Sequence, residues 1–120
     1  MDPDALITRY ISLWNTADPA ARRAIIGTLW APDGRHYMGA HDVQGHDAME
    51  VRAAGSYQRS IVEGANVFRL AGPAQALPGV VKFRWDMARR DGGLVVATGV
   101  GVLILAPDGR IATDYQFVES

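Results

Sequence analysis

The C-terminal third of the chain restricts its fold most, because two strong turn signals divide it into three apolar segments. Asp91-Gly92-Gly93 and Pro107-Asp108-Gly109 contain the residues that accept or preset turn dihedrals. Before the first turn, Val81, Phe83, Trp85 and Met87 alternate with polar residues, which is typical of a half-buried strand. The segment 94–106 follows, and the segment that contains residues 113–118 comes after the second turn. We therefore expect three antiparallel strands in a curved sheet.

The middle segment has an unusual distribution of side-chain size between its two faces. Gly99 and Gly101 share one face, where missing side chains leave a hollow or admit a close neighbour. The opposite face carries Val100, Val102 and Ile104, and it is too apolar to stand in water over that length. We therefore predict a homodimer that forms through the sheet.

Composition excludes several classes of function. The 120 residues predict one domain, 1–120, and 12 basic residues against 13 acidic ones, with no basic stripe, argue against nucleic-acid binding. Without cysteine there is no disulfide and no thiolate chemistry. The acidic start does not resemble a signal peptide, and the apolar run 94–106 is too short to span a membrane. A cytoplasmic protein with no membrane partner is the expectation.

Helices are predicted in the first half of the chain. Asp2-Pro3 and Asp18-Pro19 each combine an N-cap residue with a first-turn proline. The first helix turns Tyr10 and Trp14 to the same side, and the second carries Trp30 inward before a turn at 32–34. A third helix is predicted from residue 45 or 46 to about 61, with a possible kink at Gly55.

Between and after these helices the sequence predicts short extended segments and loops. Residues 35–39 form a short strand with His36 and Met38 on one face, and residues 66–72 form another strand. Residues 41–45 and 74–78 read as loops. Helices gathered before an antiparallel sheet predict an α+β domain.

Five segments carry a resemblance to a known family: RYISLW, TLWAPDGRHYMG, QGHDAM, FRWDM and LAPDGRIATDYQF. In this order they resemble the nuclear transport factor 2-like superfamily, in its ketosteroid isomerase and polyketide cyclase (SnoaL-like) branch. The resemblance implies a cone-shaped fold, with three N-terminal helices packed on a curved, mainly antiparallel sheet. It also implies a dimer whose cavity binds a small apolar molecule without a cofactor.

The resemblance matches one residue of this chain to a site residue of the isomerase, but two catalytic carboxylates of the isomerase have no counterpart here. Tyr10 falls where the isomerase has its oxyanion-stabilising tyrosine, but Met38 and Gly101 fall where it has its two carboxylates. Neither residue can transfer or donate a proton, so the usual isomerase chemistry is not expected. Arg84 and Asp86 resemble part of the limonene-type epoxide hydrolase set, but strand alternation places them on the outer face.

Asp114 is the residue most suited to chemistry. It shares a face of the last strand with Gln116, and the resemblance directs that face into the cavity. A carboxylate desolvated in an apolar cavity gains basicity. Polyketide cyclases are similar in using a histidine and an aspartate, so we interpret Asp114 as the general base and His36 and Tyr10 as its helpers. The substrate would be a small, largely apolar carbonyl compound whose enolate is stabilised by a donor.

The remaining cavity residues follow from the same placement. The substrate-binding set is Trp14, Trp30, Met38, Tyr57, Phe83, Trp85, Met87, Gly101 and Gln116. The spacing of His36, His41 and His46 matches no metal motif, so no metal is expected.

Other interpretations stay open. Asp114 is equally consistent with a solvent-exposed aspartate or with the ion-pair partner of an arginine. His36 is consistent with a buried histidine whose hydrogen bonds are satisfied within the protein. The alternative function is a non-catalytic module that binds an apolar ligand or supports dimerisation.

Overall fold

Residues 1–119 of the protein are described from a computed structural model. Helices α1 (Pro3–Asn15), α2 (Pro19–Leu29) and α3 (His46–Ser56) precede most of the sheet, and a π-helix (Tyr57–Glu63) continues α3. The strands are β1 (Trp30–Met38), β2 (His41–Gln44), β3 (Asn66–Leu70), β4 (Gln75–Leu77), β5 (Val80–Arg89), β6 (Val95–Leu105) and β7 (Ile111–Val118).

Both predicted aspartate–proline helix starts are confirmed. The side chain of Asp2 accepts a hydrogen bond from the backbone N–H of Ala5, and Asp18 accepts one from that of Ala21. Each bond satisfies a donor that the first turn of a helix leaves free, and the proline that follows has no N–H to satisfy. The local sequence therefore fixes where α1 and α2 begin.

The third helix changes its winding after Ser56. The α-helical part ends there and the chain continues as a π-helix to Glu63, so the predicted helix to about residue 61 is one helical segment of two kinds. A π-helical stretch holds one more residue in each turn, which shifts the later side chains around the axis.

The sheet has the strand order β2-β1-β7-β6-β5-β3, and β4 pairs with β5 outside this order. The pairing of β1 with β7 is parallel and the others are antiparallel. The predicted α+β cone, with three N-terminal helices on a curved and mainly antiparallel sheet, is confirmed. Its parallel pair joins the first strand of the chain to the last.

Three local predictions are wrong. The expected turn at 32–34 lies inside β1, where the pairing register with β7 shifts between Trp30 and Arg35. The expected loops at 41–45 and 74–78 contain the short strands β2 and β4. β2 pairs with β1 and β4 pairs with β5, so neighbouring strands supply backbone hydrogen bonds that the local residue pattern does not encode.

The core lies between the helices and the concave face of the sheet. Tyr10, Trp30 and Phe83 are buried together, with ring centroids of Tyr10 and Phe83 5.3 Å apart and those of Tyr10 and Trp30 5.6 Å apart. The rings of Trp85 and Phe83 occupy the space in front of Gly99 and Gly101. The space left by the two glycines is therefore filled by aromatic side chains of the same protein.

Among residues 1–119, no helix is both long and apolar enough to cross a membrane.

Candidate functional site

A buried carboxylate–imidazole pair lies on the inner face of the β1–β7 junction. His36 and Asp114 are register partners in the two parallel strands, so their side chains project from the same face. Both side chains are 0% exposed, and His36 Nδ1 lies 2.7 Å from Asp114 Oδ2. Two residues separated by most of the chain are thus brought into contact by strand pairing.

Two further donors bind the carboxylate of Asp114. The Tyr10 hydroxyl donates to Oδ2 at 2.7 Å, and the Gln116 amide Nε2 donates to Oδ1 at 2.7 Å. The indole N–H of Trp85 donates to Gln116 Oε1 at 2.9 Å, which fixes the orientation of the amide. The ionised carboxylate is therefore held inside the protein by hydrogen bonds.

The hydrogen bonds also assign the tautomer of His36. An ionised Asp114 accepts only, so Nδ1 carries the proton and Nε2 of the neutral ring keeps its lone pair. Arg52 Nε donates to that Nε2 at 3.3 Å. The imidazole thus connects a buried carboxylate on one side with a guanidinium on the other.

Tyr10 remains a hydroxyl donor at physiological pH. Burial raises the pKa of the Tyr10 phenol well above its ordinary value, and the neighbouring Asp114 carboxylate raises it further. A phenolate at this position would be desolvated and placed next to a second anion. The Tyr10 proton therefore remains on its oxygen, where it is available to a developing negative charge.

Arg52 reaches the site from α3 and is partly buried. Its guanidinium carbon lies 5.2 Å from the ring centroid of Trp14, and its Nη2 lies 3.3 Å from the sulfur of Met38. Burial lowers the pKa of the Arg52 guanidinium, but an arginine side chain is not deprotonated in proteins. The site therefore contains a permanent cation.

A cavity opens next to this network. Its volume is about 40 Å³, and it is lined by Tyr10, Ile11, Trp14, His36, Met38, Arg52, Ser56, Phe68, Trp85 and Gln116. A wider depression of about 460 Å³, which we call the mouth, shares five of these residues: Met38, Arg52, Ser56, Phe68 and Trp85. The shared lining makes the mouth the approach to the inner cavity.

The structure brings together most, but not all, of the residues that the sequence placed at the site. Six of them line the inner cavity: Tyr10, Trp14, His36, Met38, Trp85 and Gln116. Met87 lines the mouth. Asp114 does not line either space, because Tyr10, His36 and Gln116 lie around its carboxylate.

Four predicted lining residues lie elsewhere. Trp30 and Phe83 pack against Tyr10 in the core, and Gly101 lies behind the Phe83 ring. The Tyr57 ring lies against Arg22 of α2, with the guanidinium carbon 5.5 Å from the ring centroid. Tyr57 is the first residue of the π-helix, and its ring is directed toward α2.

Sequence reasoning missed the contribution of α3 and the π-helix. Arg52, Ser56 and Arg59 line the inner cavity or the mouth, and Phe68 of β3 lines both. A signal was present, because Arg52 and Ser56 follow buried Met49 at intervals that keep them on the inward side of a helix. A basic residue on such a face is an indication of a binding site.

Within residues 1–119, no group of three or more histidine and carboxylate side chains is arranged to hold a metal ion.

The sequence matches no family model and no curated protein. Solved structures do match. A candidate isomerase of the SnoaL-like family from Agrobacterium tumefaciens is 25% identical with a TM-score of 0.88, and the match covers 97% of this chain and 96% of that one.

Two further structures show the same fold. A candidate polyketide cyclase from Sinorhizobium meliloti is 18% identical with a TM-score of 0.72, over 94% of each chain. An NTF2-like protein with a long sheet is 11% identical with a TM-score of 0.70, over 97% of this chain and 100% of that one. The three helices, the curved sheet and these neighbours support the nuclear transport factor 2-like fold, and a SnoaL-like protein is among the structures that this chain resembles.

Proposed function

We propose that this protein is a cofactor-independent acid–base enzyme of the isomerase or cyclase type that acts on a small carbonyl compound. The observation that carries the proposal is the buried Asp114–His36 pair, whose imidazole borders a cavity. Two structural neighbours, a candidate isomerase of the SnoaL-like family and a candidate polyketide cyclase, support the same class of reaction. The sequence suggested Asp114 as the base, but its enclosure by donors favours His36 in that role.

In the proposed mechanism His36 Nε2 removes a proton from the carbon next to the substrate carbonyl. Asp114 holds Nδ1–H and stabilises the imidazolium that forms. As the imidazolium neutralises Asp114, the Tyr10 hydroxyl is attracted less by the carboxylate and more by the enolate oxygen. Return of the proton from Nε2 to another atom of the enolate completes an isomerisation. Attack of the enolate carbon on a second carbonyl of the same molecule, with transfer of the Nε2 proton to the alkoxide that forms, would complete a cyclisation.

The proposal is tested by proton exchange, which needs no knowledge of the natural substrate. Phenylacetone and 4-oxo-4-phenylbutanoate are incubated with the protein in D₂O, and loss of the proton signal next to the carbonyl is followed by NMR. We expect exchange of at least one ketone to exceed the buffer rate. His36→Gln should lower it by about 100-fold or more, the usual contribution of a general base.

Asp114 is tested as a positioning residue by replacing its carboxylate with a neutral amide of the same shape. Asp114→Asn should lower the exchange rate, because the imidazolium that forms on His36 loses its anionic neighbour. The exposed Arg9→Gln serves as the control and should leave exchange unchanged. If His36→Gln exchanges protons as fast as the unaltered protein, the proposed mechanism is wrong.

The second candidate is a non-catalytic protein that binds a small ligand. The small volume of the inner cavity favours this candidate. So do the three hydrogen bonds that the Asp114 carboxylate already accepts, because its oxygens then require no donor from a substrate. Binding of a ketone without any exchange above the buffer rate would support this candidate over the enzyme.

A further inference from the structure

Among residues 1–119, the permanently charged side chains that line the cavity and its mouth are two arginines, and the two histidines that also line them are basic groups. Arg52 borders both spaces, Arg59 and His41 border the mouth, and His36 borders the inner cavity. Within residues 1–119, no aspartate or glutamate lines either space. The whole chain has 13 acidic and 12 basic residues, so this asymmetry does not reflect its composition.

Arg52 has no carboxylate within salt-bridge distance in the part of the chain that the structure describes. Its guanidinium contacts are the neutral imidazole of His36, the sulfur of Met38 and the ring of Trp14. Asp114 acts on it electrostatically, but across the imidazole rather than by contact. A partly buried guanidinium with five N–H donors is thus left with donors that face the cavity.

The mouth extends this positive region toward solvent. Arg59 is exposed on the π-helix, seven residues after Arg52, and no salt bridge joins it to a carboxylate among residues 1–119. The charge of Arg52 is the main cause that lowers the pKa of His41, and Arg59 adds to it. The potential at the mouth is therefore positive, which attracts anions.

We propose that the ligand of this cavity carries a carboxylate, which Arg52 and Arg59 bind where the inner cavity meets the mouth. The apolar part of the ligand then packs between Trp14, Phe68 and Trp85. A guanidinium presents paired donors that match the two oxygens of a carboxylate. This proposal names the substrate class of the proposed enzyme and rests on that function for its purpose, but the binding itself requires no catalysis.

The position of Arg52 also links this binding to the base. Arg52 Nε now donates to His36 Nε2, the atom that would accept the substrate proton. A carboxylate is a stronger acceptor for a guanidinium than an imidazole nitrogen is. A bound carboxylate therefore draws Arg52 away and leaves the lone pair of Nε2 free.

The experiment compares an acid with its neutral amide. Binding of 3-phenylpropanoate and 3-phenylpropanamide is measured by quenching of tryptophan fluorescence and by calorimetry. We expect the acid to bind about tenfold or more tightly, because a charge-assisted hydrogen bond contributes more than a neutral one. The preference should decrease as salt concentration rises.

Variants of the two arginines test which residues cause the preference for the acid over the amide. Arg52→Met should abolish it and Arg59→Gln should reduce it, whereas Arg9→Gln, a control on the exposed side of α1, should retain it. Since Arg59 is exposed, its replacement tests the proposal even if Arg52→Met does not fold. Equal binding of acid and amide by the unaltered protein, no binding of the acid at millimolar concentration, or a preference that survives in Arg59→Gln and Arg52→Met alike would overturn the inference.

Failure of this proposal and failure of the proposed function are separate results. A protein that prefers the acid but exchanges no ketone proton is a carboxylate-binding protein without the catalysis. A protein that exchanges phenylacetone protons through His36 and binds acid and amide equally is the proposed enzyme with a neutral substrate.

Discussion

Asp114 is a buried charge whose free energy depends on the donors around it. Tyr10, His36 and Gln116 all donate to its two oxygens. Removing one donor from a buried carboxylate costs more than the bond itself contributes, because the anion has no water to replace it. Among these three donors, Tyr10 can be removed with the smallest change in side-chain volume, because replacement by phenylalanine deletes only the hydroxyl group.

Tyr10→Phe is expected to lower the free energy of unfolding at pH 8 by about 1 to 3 kcal/mol. The effect should depend on pH in the alkaline range. The pKa of Tyr10 is raised in the folded protein, so its contribution is complete below the ordinary tyrosine pKa and is lost as pH rises toward the folded value. Above about pH 10 the difference between the two proteins should shrink by about 1.4 kcal/mol per pH unit.

Urea unfolding at pH 8, 10 and 11 measures this difference, with the same replacement at half-buried Tyr57, whose ring packs against Arg22, as the control for general alkaline effects. A difference between Tyr10→Phe and the unaltered protein that stays constant up to pH 11 would contradict the assignment.

Strand alternation placed Asp114 and Gln116 on one face, and the family resemblance directed that face inward. In the structure the side chain of Asp114 is fully buried. The enclosure of its oxygens was not predictable, because it depends on β1 pairing with β7 in one register. Arg52 was missed for a related reason. Its contacts with His36 and Met38 arise where α3 packs against β1, a packing that helical periodicity alone does not specify.

At the scale of secondary structure, β6 depends on its two glycines. A methyl group at Gly99 would overlap the indole ring of Trp85, and one at Gly101 would overlap the ring of Phe83 and the Gln116 amide. Trp85 also donates to Gln116, which donates to Asp114. Packing along β6 thus determines the position of the polar network.

Gly99→Ala is expected to lower the free energy of unfolding by about 1 to 3 kcal/mol, the usual cost of forcing extra volume into a packed core. It should also reduce the tryptophan-detected binding of any cavity ligand, because Trp85 must move. The matched control is Gly27→Ala in α2, where an added methyl group meets no atom within 4 Å.

Gly27→Ala should stabilise the protein by about 0.5 to 1 kcal/mol through helix propensity. Both variants are measured by urea unfolding. Equal stability of Gly99→Ala and Gly27→Ala would show that the Trp85 ring adapts without cost.

The elements that the sequence predicted well are those whose signals are local. Capping aspartates define α1 and α2, and turn glycines with alternating side chains define β5, β6 and β7. The first half of β1 was predicted as a turn, because Pro32-Asp33-Gly34 is a turn sequence in isolation. Gly34 instead lies against Trp30 and the backbone of Ile111, where no side chain fits.

At the scale of the whole molecule, the outer face of the sheet carries exposed apolar side chains. Tyr115 is 40% exposed, Phe117 57% and Ile104 39%, and the ring of Tyr37 stacks on that of Tyr115 with centroids 5.5 Å apart. Such a patch on the face opposite the helices suits association with a second copy. The homodimer predicted from β6 would therefore also involve β7.

Light scattering at micromolar concentration is expected to give the mass of a dimer. Phe117→Lys should shift the protein to a monomer, because it places a charge in the centre of the proposed interface. The control is Val51→Lys, which changes an equally apolar residue, 76% exposed, on α3. A monomeric unaltered protein, or a dimer that persists in Phe117→Lys, would contradict the prediction.

The parallel pairing of β1 with β7 also affects when the site can form during synthesis. His36 emerges from the ribosome long before Asp114, and the two meet only after β7 has been made and inserted beside β1. Contacts so distant in sequence slow folding, since a long loop must close before they form. Until that step, the nascent chain exposes the strand edge to which β7 will bind, so β7 both completes the site and covers an edge prone to aggregation.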